Sequence, residues 1–144
     1  MIDNSAKIHK SAKIAQNVTI GANVVIGEDV EIGEGSNIIA NCYIEHTKIG
    51  KRCTISPFST IGTAPQDLSY NGEKTKVIIG DDTIIKENVT IHRASSSGDL
   101  TTRIGNKCLL MVGFKFPNTF LYLHFYLSIK LVFSKQIKII LKEP

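Results

Sequence analysis

Isoleucine returns at every sixth residue from Ile2 to Ile38, and the hexads read IDNSAK, IHKSAK, IAQNVT, IGANVV, IGEDVE, IGEGSN and IIANCY. After a five-residue step from Ile44 the pattern resumes as IGKRCT and ISPFST. After a longer interruption come IGDDTI, IKENVT and IHRASS in succession, and after another IGNKCL. All thirteen hexads begin with Ile, and the fifth residue is always Ala, Val, Ser, Cys or Thr. Six of the thirteen carry Gly in second place. A period of six fits neither the 3.6 of a helix nor the 2 of an alternating strand. It fits one short strand plus one turn, repeated. The Ile points inward and stacks on the Ile of neighbouring coils, and the small fifth residue fits where space is tight. Glycine lets the backbone turn where other residues strain. β-Branched residues favour the extended segments. Three such sides close a triangular coil, and each coil hydrogen-bonds to the next. The expected fold is all-β, a parallel β-helix of about four to five coils, with stability roughly additive over repeats. A β-sandwich with chance spacing does not account for so regular a signature.

Two long interruptions break the rhythm. The first is IGTAPQDLSYNGEKTKVIIG, residues 61–80, with an Asn71-Gly72 turn signal. Ile79 follows Ile61 by eighteen residues, three hexads, so this loop, near 63–77, is expected to replace a side without shifting phase. The second is RASSSGDLTTRIG, rich in Ser, Thr and Gly, with a loop near 93–103. Loops carried on a rigid scaffold are where function concentrates.

Composition divides the chain at Gly113. Residues 1–113 hold twelve Lys/Arg and twelve Asp/Glu, while residues 114–144 hold five Lys and one Glu. All eleven glycines lie at or before Gly113, and five of six phenylalanines lie after it. The sequence therefore suggests a β-helix over 1–113 and an aberrant tail over 114–144 that is either a misjoined gene end or a hydrophobic cap for the open end of the solenoid. The net +4 comes from the tail, and no basic stripe runs through the organised part, so nucleic-acid binding is not expected. Cys42, Cys53 and Cys108 all sit in fifth place with no CxxC pair, which reads as small buried residues and not as a zinc site or disulfide. The polar start MIDNSAKIHK has no signal-peptide character, and a cytoplasmic chain is expected. The apolar run at 119–133 is interrupted by His124 and Lys130 and falls short of the ~20 residues of a spanning helix, so no stable membrane anchor is expected.

Several segments together carry a resemblance: MIDNSAKIHKSA at the start, the Gln66-Asp67-Leu68 loop, ENVTIHRAS at 87–95 and GNKCLLMVG at 105–113. Over residues 1–113 the chain resembles the acyl-carrier-protein-dependent UDP-N-acetylglucosamine O-acyltransferases of lipid A synthesis. The resemblance implies a left-handed β-helix and a homotrimer with sites in clefts between subunits. It implies transfer of a 3-hydroxyacyl chain from acyl carrier protein to the sugar 3-hydroxyl of UDP-N-acetylglucosamine, with no metal and no organic cofactor beyond the carrier protein's prosthetic arm. Such chemistry needs a general base, donors for the oxyanion and groups that hold the sugar. By resemblance, Gln66 and Asp67 contact the sugar and His92 lies near the site. Read on their residues alone, Pro65-Gln66-Asp67 caps a turn and His92 is a solvent-facing corner. Arg93, Arg103, Lys74 and Lys76 suit an acidic carrier protein or a pyrophosphate, or form a solvated face. Ser69 stands where the family often has Lys.

The resemblance also exposes a departure. Continued from Leu109, the family pattern places one histidine at Lys115 and the general-base histidine at Asn118. Asparagine has no titratable group and cannot serve as the base. No catalytic residue is therefore assigned, and impaired turnover is expected. Phe114 occupies the small fifth place of the hexad from Leu110, so the coil is expected to break there. The alternatives are a non-catalytic truncated β-helix, a degenerate product or trimer partner, and a sibling hexapeptide sugar acyltransferase. A metal-dependent hexapeptide enzyme needs converging histidines, and His9, His46 and His92 do not all fall at one hexad position.

Overall fold

The computed structural model describes residues 1–95 and 99–116. Sixteen short strands, mostly two residues long, form three parallel sheets among the described residues. The first sheet has six strands, from Lys7–Ile8 to Lys115–Phe116. The second runs from Lys13–Ile14 to Thr101–Ile104, and the third from Thr19–Ile20 to Leu109–Leu110. Successive strands in the chain visit the three sheets in turn. Lys7 pairs with Val25 and Lys13 with Glu31, eighteen residues on in each case, so three hexads make one coil. The chain is a left-handed parallel β-helix.

The hexad Ile builds the interior. Ile20, Ile26, Ile38, Ile44, Ile55, Ile61, Ile85 and Ile91 are essentially without exposure, while Ile8, at the N-terminal mouth, is 36% exposed. Each full burial contributes about 1.5–3 kcal/mol. The fifth residue does more than stay small. Ser36 Oγ donates to the Gly50 carbonyl at 2.9 Å, Cys53 Sγ to that of Gly80 at 3.1 Å, and Thr83 Oγ1 to that of Gly105 at 2.9 Å. Each bond joins one coil to the next. Ser59 Oγ reaches the Lys86 carbonyl at 3.1 Å in the same way at another corner. Buried hydroxyls so satisfied are compatible with a core, whereas unpaired ones cost about 1–3 kcal/mol. Cys42, Cys53 and Cys108 are buried and form no disulfide, as their shared place suggests.

The turn itself lies elsewhere than the glycines suggest. The left-handed backbone falls in fourth place, at Asn17, Asn23, Asp29, Asn41, Asp82 and Asn88 among others. Asn and Asp tolerate that region better than other residues with a Cβ. Gly21, in second place, has no positive φ; a Cβ there would collide with the Ile39 carbonyl oxygen of the next coil. Second-place glycine thus serves close approach, not turning.

The coil does not break at Phe114. Phe114 packs partly buried against the core, and its carbonyl accepts the Thr90 amide at 2.9 Å. Lys115 and Phe116 then pair with Thr90 and Ile91. Residues 117–144, with Asn118, His124 and Lys130, lie outside the described residues.

A braced corner loop as the candidate functional site

Among the described residues, the insertions and the deletion in the repeat all fall at one corner. Between coils, Glu31 pairs with Lys48, seventeen residues on; Thr54 pairs with Ile84, thirty on; Ile84 pairs with Leu109, twenty-five on. Against eighteen, these mean one residue lost, twelve inserted and seven inserted. The first loop therefore adds to the corner and replaces no side: Ile61 and Ile79 still end successive sides. All three irregularities lie between the first and second sheets, after Ile44, Ile61 and Ile91 in consecutive coils. Stacking three breaks in register at one corner makes a feature that no regular coil has.

The first loop leaves at Gly62, whose φ is +84°. A Cβ there would collide with the Glu45 carbonyl oxygen below it. The strand Thr60–Thr63 is bulged at this point, which brings Thr63 opposite His92. Thr63 Oγ1 and His92 Nδ1 lie 3.1 Å apart in a hydrogen bond, and Arg93 N donates to the Thr63 carbonyl at 3.0 Å. His92 is half-buried, so it is tied to the root of the loop and is not the solvent-facing corner its residue type alone suggests.

Within the loop, Asp67 organises the turn. Its Oδ1 accepts the Ser69 amide at 2.9 Å and the Ser69 hydroxyl at 2.7 Å. The Tyr70 amide closes onto the Asp67 carbonyl at 3.1 Å. The Ser69 hydroxyl and amide, with Ser95 adding from the second loop, hold the Asp67 carboxyl below its ordinary value against the opposing effect of desolvation. The turn-capping role of Asp67 is thus present in the structure. Gln66 is exposed, and among the described residues nothing hydrogen-bonds its amide. One neighbour fixes the turn, and the other presents a donor and an acceptor to solvent.

Arg93 binds the corner together. Its guanidinium Nη1 donates to Glu45 Oε1 at 3.1 Å and to the Gly62 carbonyl at 2.8 Å, while Nε donates to Tyr70 Oη at 3.2 Å. Tyr43 Oη donates to the other Glu45 oxygen at 2.8 Å. Arg93 is therefore engaged inside the protein and is not a free cation for a carrier protein. Arg103 pairs with Asp99 at 3.1 Å. Lys74 and Lys76 are exposed and have no ion-pair partner among the described residues. Sequence reasoning missed Glu45, Thr63 and Tyr70. Their only signal is the break in register beside them.

A groove of about 970 Å³ runs between residues 70–76 of the loop and the outer face of the second sheet. Lys13, Lys48, Lys74, Lys76, Arg93 and Arg103 face it, as do Glu28, Asp29, Glu31, Glu73 and Asp99. Six cations against five carboxylates select no ligand by net charge. His9 and His46 lie just after strands of the first and third coils and His92 ends a strand of the fifth, so successive ones are roughly 10 Å apart at the usual strand spacing. Among the described residues no three His, Cys, Asp or Glu side chains come together as a metal site. No helix there is long and apolar enough to cross a membrane.

The repeat and its corner have clear relatives. The family model of the GMPPB C-terminal domain matches residues 1–98. The chain belongs to that family. Among curated proteins it is similar to the acyl-[acyl-carrier-protein]–UDP-N-acetylglucosamine O-acyltransferase of Thermodesulfovibrio yellowstonii, 51% identical over 78 residues. That match covers 54% of this chain and 30% of the relative. The Azorhizobium caulinodans protein of the same name is 45% identical over 65 residues, 45% of this chain and 24% of that one. Among solved structures, the UDP-N-acetylglucosamine acyltransferase of Bacteroides fragilis superposes with a TM-score of 0.79 at 42% identity, over 82% of this chain and 46% of that one. That of Acinetobacter baumannii gives 0.80 at 36% identity, over 81% and 46%. The resemblance read from the motifs thus holds for both sequence and fold, and the chain spans less than half the length of these relatives.

Proposed function

We propose that the chain forms the sugar-nucleotide side of an acyl-transfer site, in which a 3-hydroxyacyl chain passes from acyl carrier protein to the 3-hydroxyl of UDP-N-acetylglucosamine, the first step of lipid A synthesis. The observation that carries this reading is the braced corner loop. Gln66 is presented to solvent beside Asp67, on a turn rooted against His92, in a chain whose curated relatives are named for this reaction. In this reading the Gln66 amide and the Asp67 carboxylate orient the sugar. An amide and a carboxylate between them offer the acceptors and donor that hydroxyls require. A homotrimer, a cytoplasmic location and an acidic carrier-protein partner belong to the same reading. The reaction needs no metal or organic cofactor beyond the carrier protein's prosthetic arm.

Turnover is a separate matter. Asn118 stands where the resemblance places the general base, and an amide cannot take the sugar proton. General-base catalysis contributes about 10²–10⁴-fold, so a transfer rate lower by that factor is expected. The test is transfer of a radiolabelled 3-hydroxyacyl group from acyl carrier protein to UDP-N-acetylglucosamine, with the Bacteroides fragilis enzyme as comparator. Sugar-nucleotide binding, weakened in Gln66→Ala and Asp67→Ala, with turnover at least a hundredfold below the comparator, supports both parts. A comparable rate overturns the assignment to Asn118, and binding indifferent to both substitutions overturns the loop.

A further inference from the structure

The loop that carries Gln66 and Asp67 is inserted into a coil and must be held by something other than the strand ladder. Its own hydrogen bonds are local: Ser69 to Asp67, Tyr70 to Asp67, Asn71 to Glu73 and Thr75 to Glu73. Such bonds shape a turn without fixing where it points. Among the described residues, the hydrogen-bond connection from the middle of the loop to the scaffold runs through Arg93, beside the Ser95 contact to Asp67. Arg93 spans three coils. It bonds Glu45 two coils below, the Gly62 carbonyl at the loop's root and the Tyr70 hydroxyl in the loop, and it stacks 5.6 Å from the Tyr70 ring centroid. Tyr70 Oη then donates to the Glu73 carbonyl at 2.8 Å. The Tyr70 amide closes the Asp67 turn, so Arg93 is one residue's contact away from the sugar-facing pair.

Position and burial suit this work. The Arg93 side chain is 14% exposed and that of Glu45 is 21% exposed, well inside the range where water competes poorly. The planar guanidinium meets a carboxylate, a carbonyl and a phenol at once, and also lies over the ring. A lysine ammonium, a point charge with no fork, cannot reproduce those directions. Glu45 is fixed in turn by Tyr43, and Glu45 sits in the short step whose missing residue brings the corner in.

We propose that Arg93, clamped by Glu45, is a positioning residue for the corner site: it aims the Gln66–Asp67 turn through Tyr70 and does not itself contact the sugar. The ligand half of this proposal rests on reading the loop as the sugar site; the clamp half does not. The experiment compares wild type with Arg93→Lys, Glu45→Gln, Tyr70→Phe and the Arg93→Lys/Tyr70→Phe pair. Two readouts are taken: hydrogen exchange of amides 67–71, and affinity for UDP-N-acetylglucosamine by calorimetry. Tyr70→Phe removes one hydroxyl from an exposed loop and keeps the proposal open to test if Arg93→Lys fails to fold. Each single variant is expected to speed loop exchange and weaken binding at least tenfold, in parallel. The double variant should be no worse than Arg93→Lys, because both break one connection. Arg93→Lys that weakens binding with loop exchange unchanged overturns positioning in favour of direct contact. Unchanged exchange in every variant overturns the clamp. A wild type that binds no UDP-N-acetylglucosamine, with exchange responding as described, overturns the sugar-site reading and leaves the clamp standing.

Discussion

Replacing Gly62, Gly21 and Gly72 one at a time with alanine separates two reasons for glycine that the sequence merges. Gly62 has both: φ is +84°, and a Cβ would collide with the Glu45 carbonyl oxygen. Gly21 has only the close approach, to the Ile39 carbonyl. Gly72 has only the backbone, with φ at +89° and nothing within 4 Å of a Cβ. Left-handed backbone costs an alanine about 1–2 kcal/mol. Forcing packed backbone apart costs about 1–3 kcal/mol. Reduced freedom of the unfolded chain returns about 0.4–1 kcal/mol. Gly62→Ala should therefore lose about 2–4 kcal/mol, Gly21→Ala about 1–2, and Gly72→Ala about 1 or less. A domain holds about 5–15 kcal/mol in total, so the first loss is large. Urea denaturation at constant m-value measures all three. The expected order is Gly62, then Gly21, then Gly72. A Gly72→Ala loss equal to that of Gly62→Ala refutes the close-approach argument, and a neutral Gly62→Ala refutes the geometry of the corner.

Three further outcomes are expected. Ile55→Ala, at a site with no exposure, should cost about 2–5 kcal/mol, whereas Ile8→Ala, 36% exposed at the open mouth, should cost clearly less in the same denaturation. Burial pushes the Cys42 and Cys53 thiols above their ordinary 9.0, so both should resist a thiol reagent in the native state. Because their folded pKa values are raised, their contribution is intact below pH 9 and is lost as pH climbs through the raised values; a stability that rises as pH climbs above 9 would contradict this. Arg52→Ala removes a bidentate pair with Asp82 whose side chains are 57% and 34% exposed; the loss of stability should be small and shrink further at 1 M salt, as thermal denaturation at two ionic strengths will show.

The coil was legible because its determinants are local and repeated. Ile in first place, a small residue in fifth and glycine in second each recur often enough to read. The left-handed turn was misplaced, since glycine has two uses and composition cannot tell them apart; the Asn and Asp of fourth place carry it. The small residues of fifth place also hid a function: Ser36, Cys53 and Thr83 read as space-savers, yet each donates to the coil beyond. Gln66, Asp67 and His92 were legible as motif positions, but the side chains around them were not. Glu45 and Arg93 are 48 residues apart and meet only because three breaks in register stack at one corner. Tyr70, which no motif singled out, links Arg93 to the turn. Phe114, which looked like the end of the coil, packs against its core.

The sugar-site reading is tested most directly by titrating the isotope-labelled chain with UDP-N-acetylglucosamine and following its backbone amides and the Gln66 side-chain amide. Saturable shifts centred on residues 62–71 and on His92 and Arg93, weakened in Gln66→Ala, are the expected result. No shift at millimolar nucleotide, or saturable shifts confined to coils away from this corner, would contradict it.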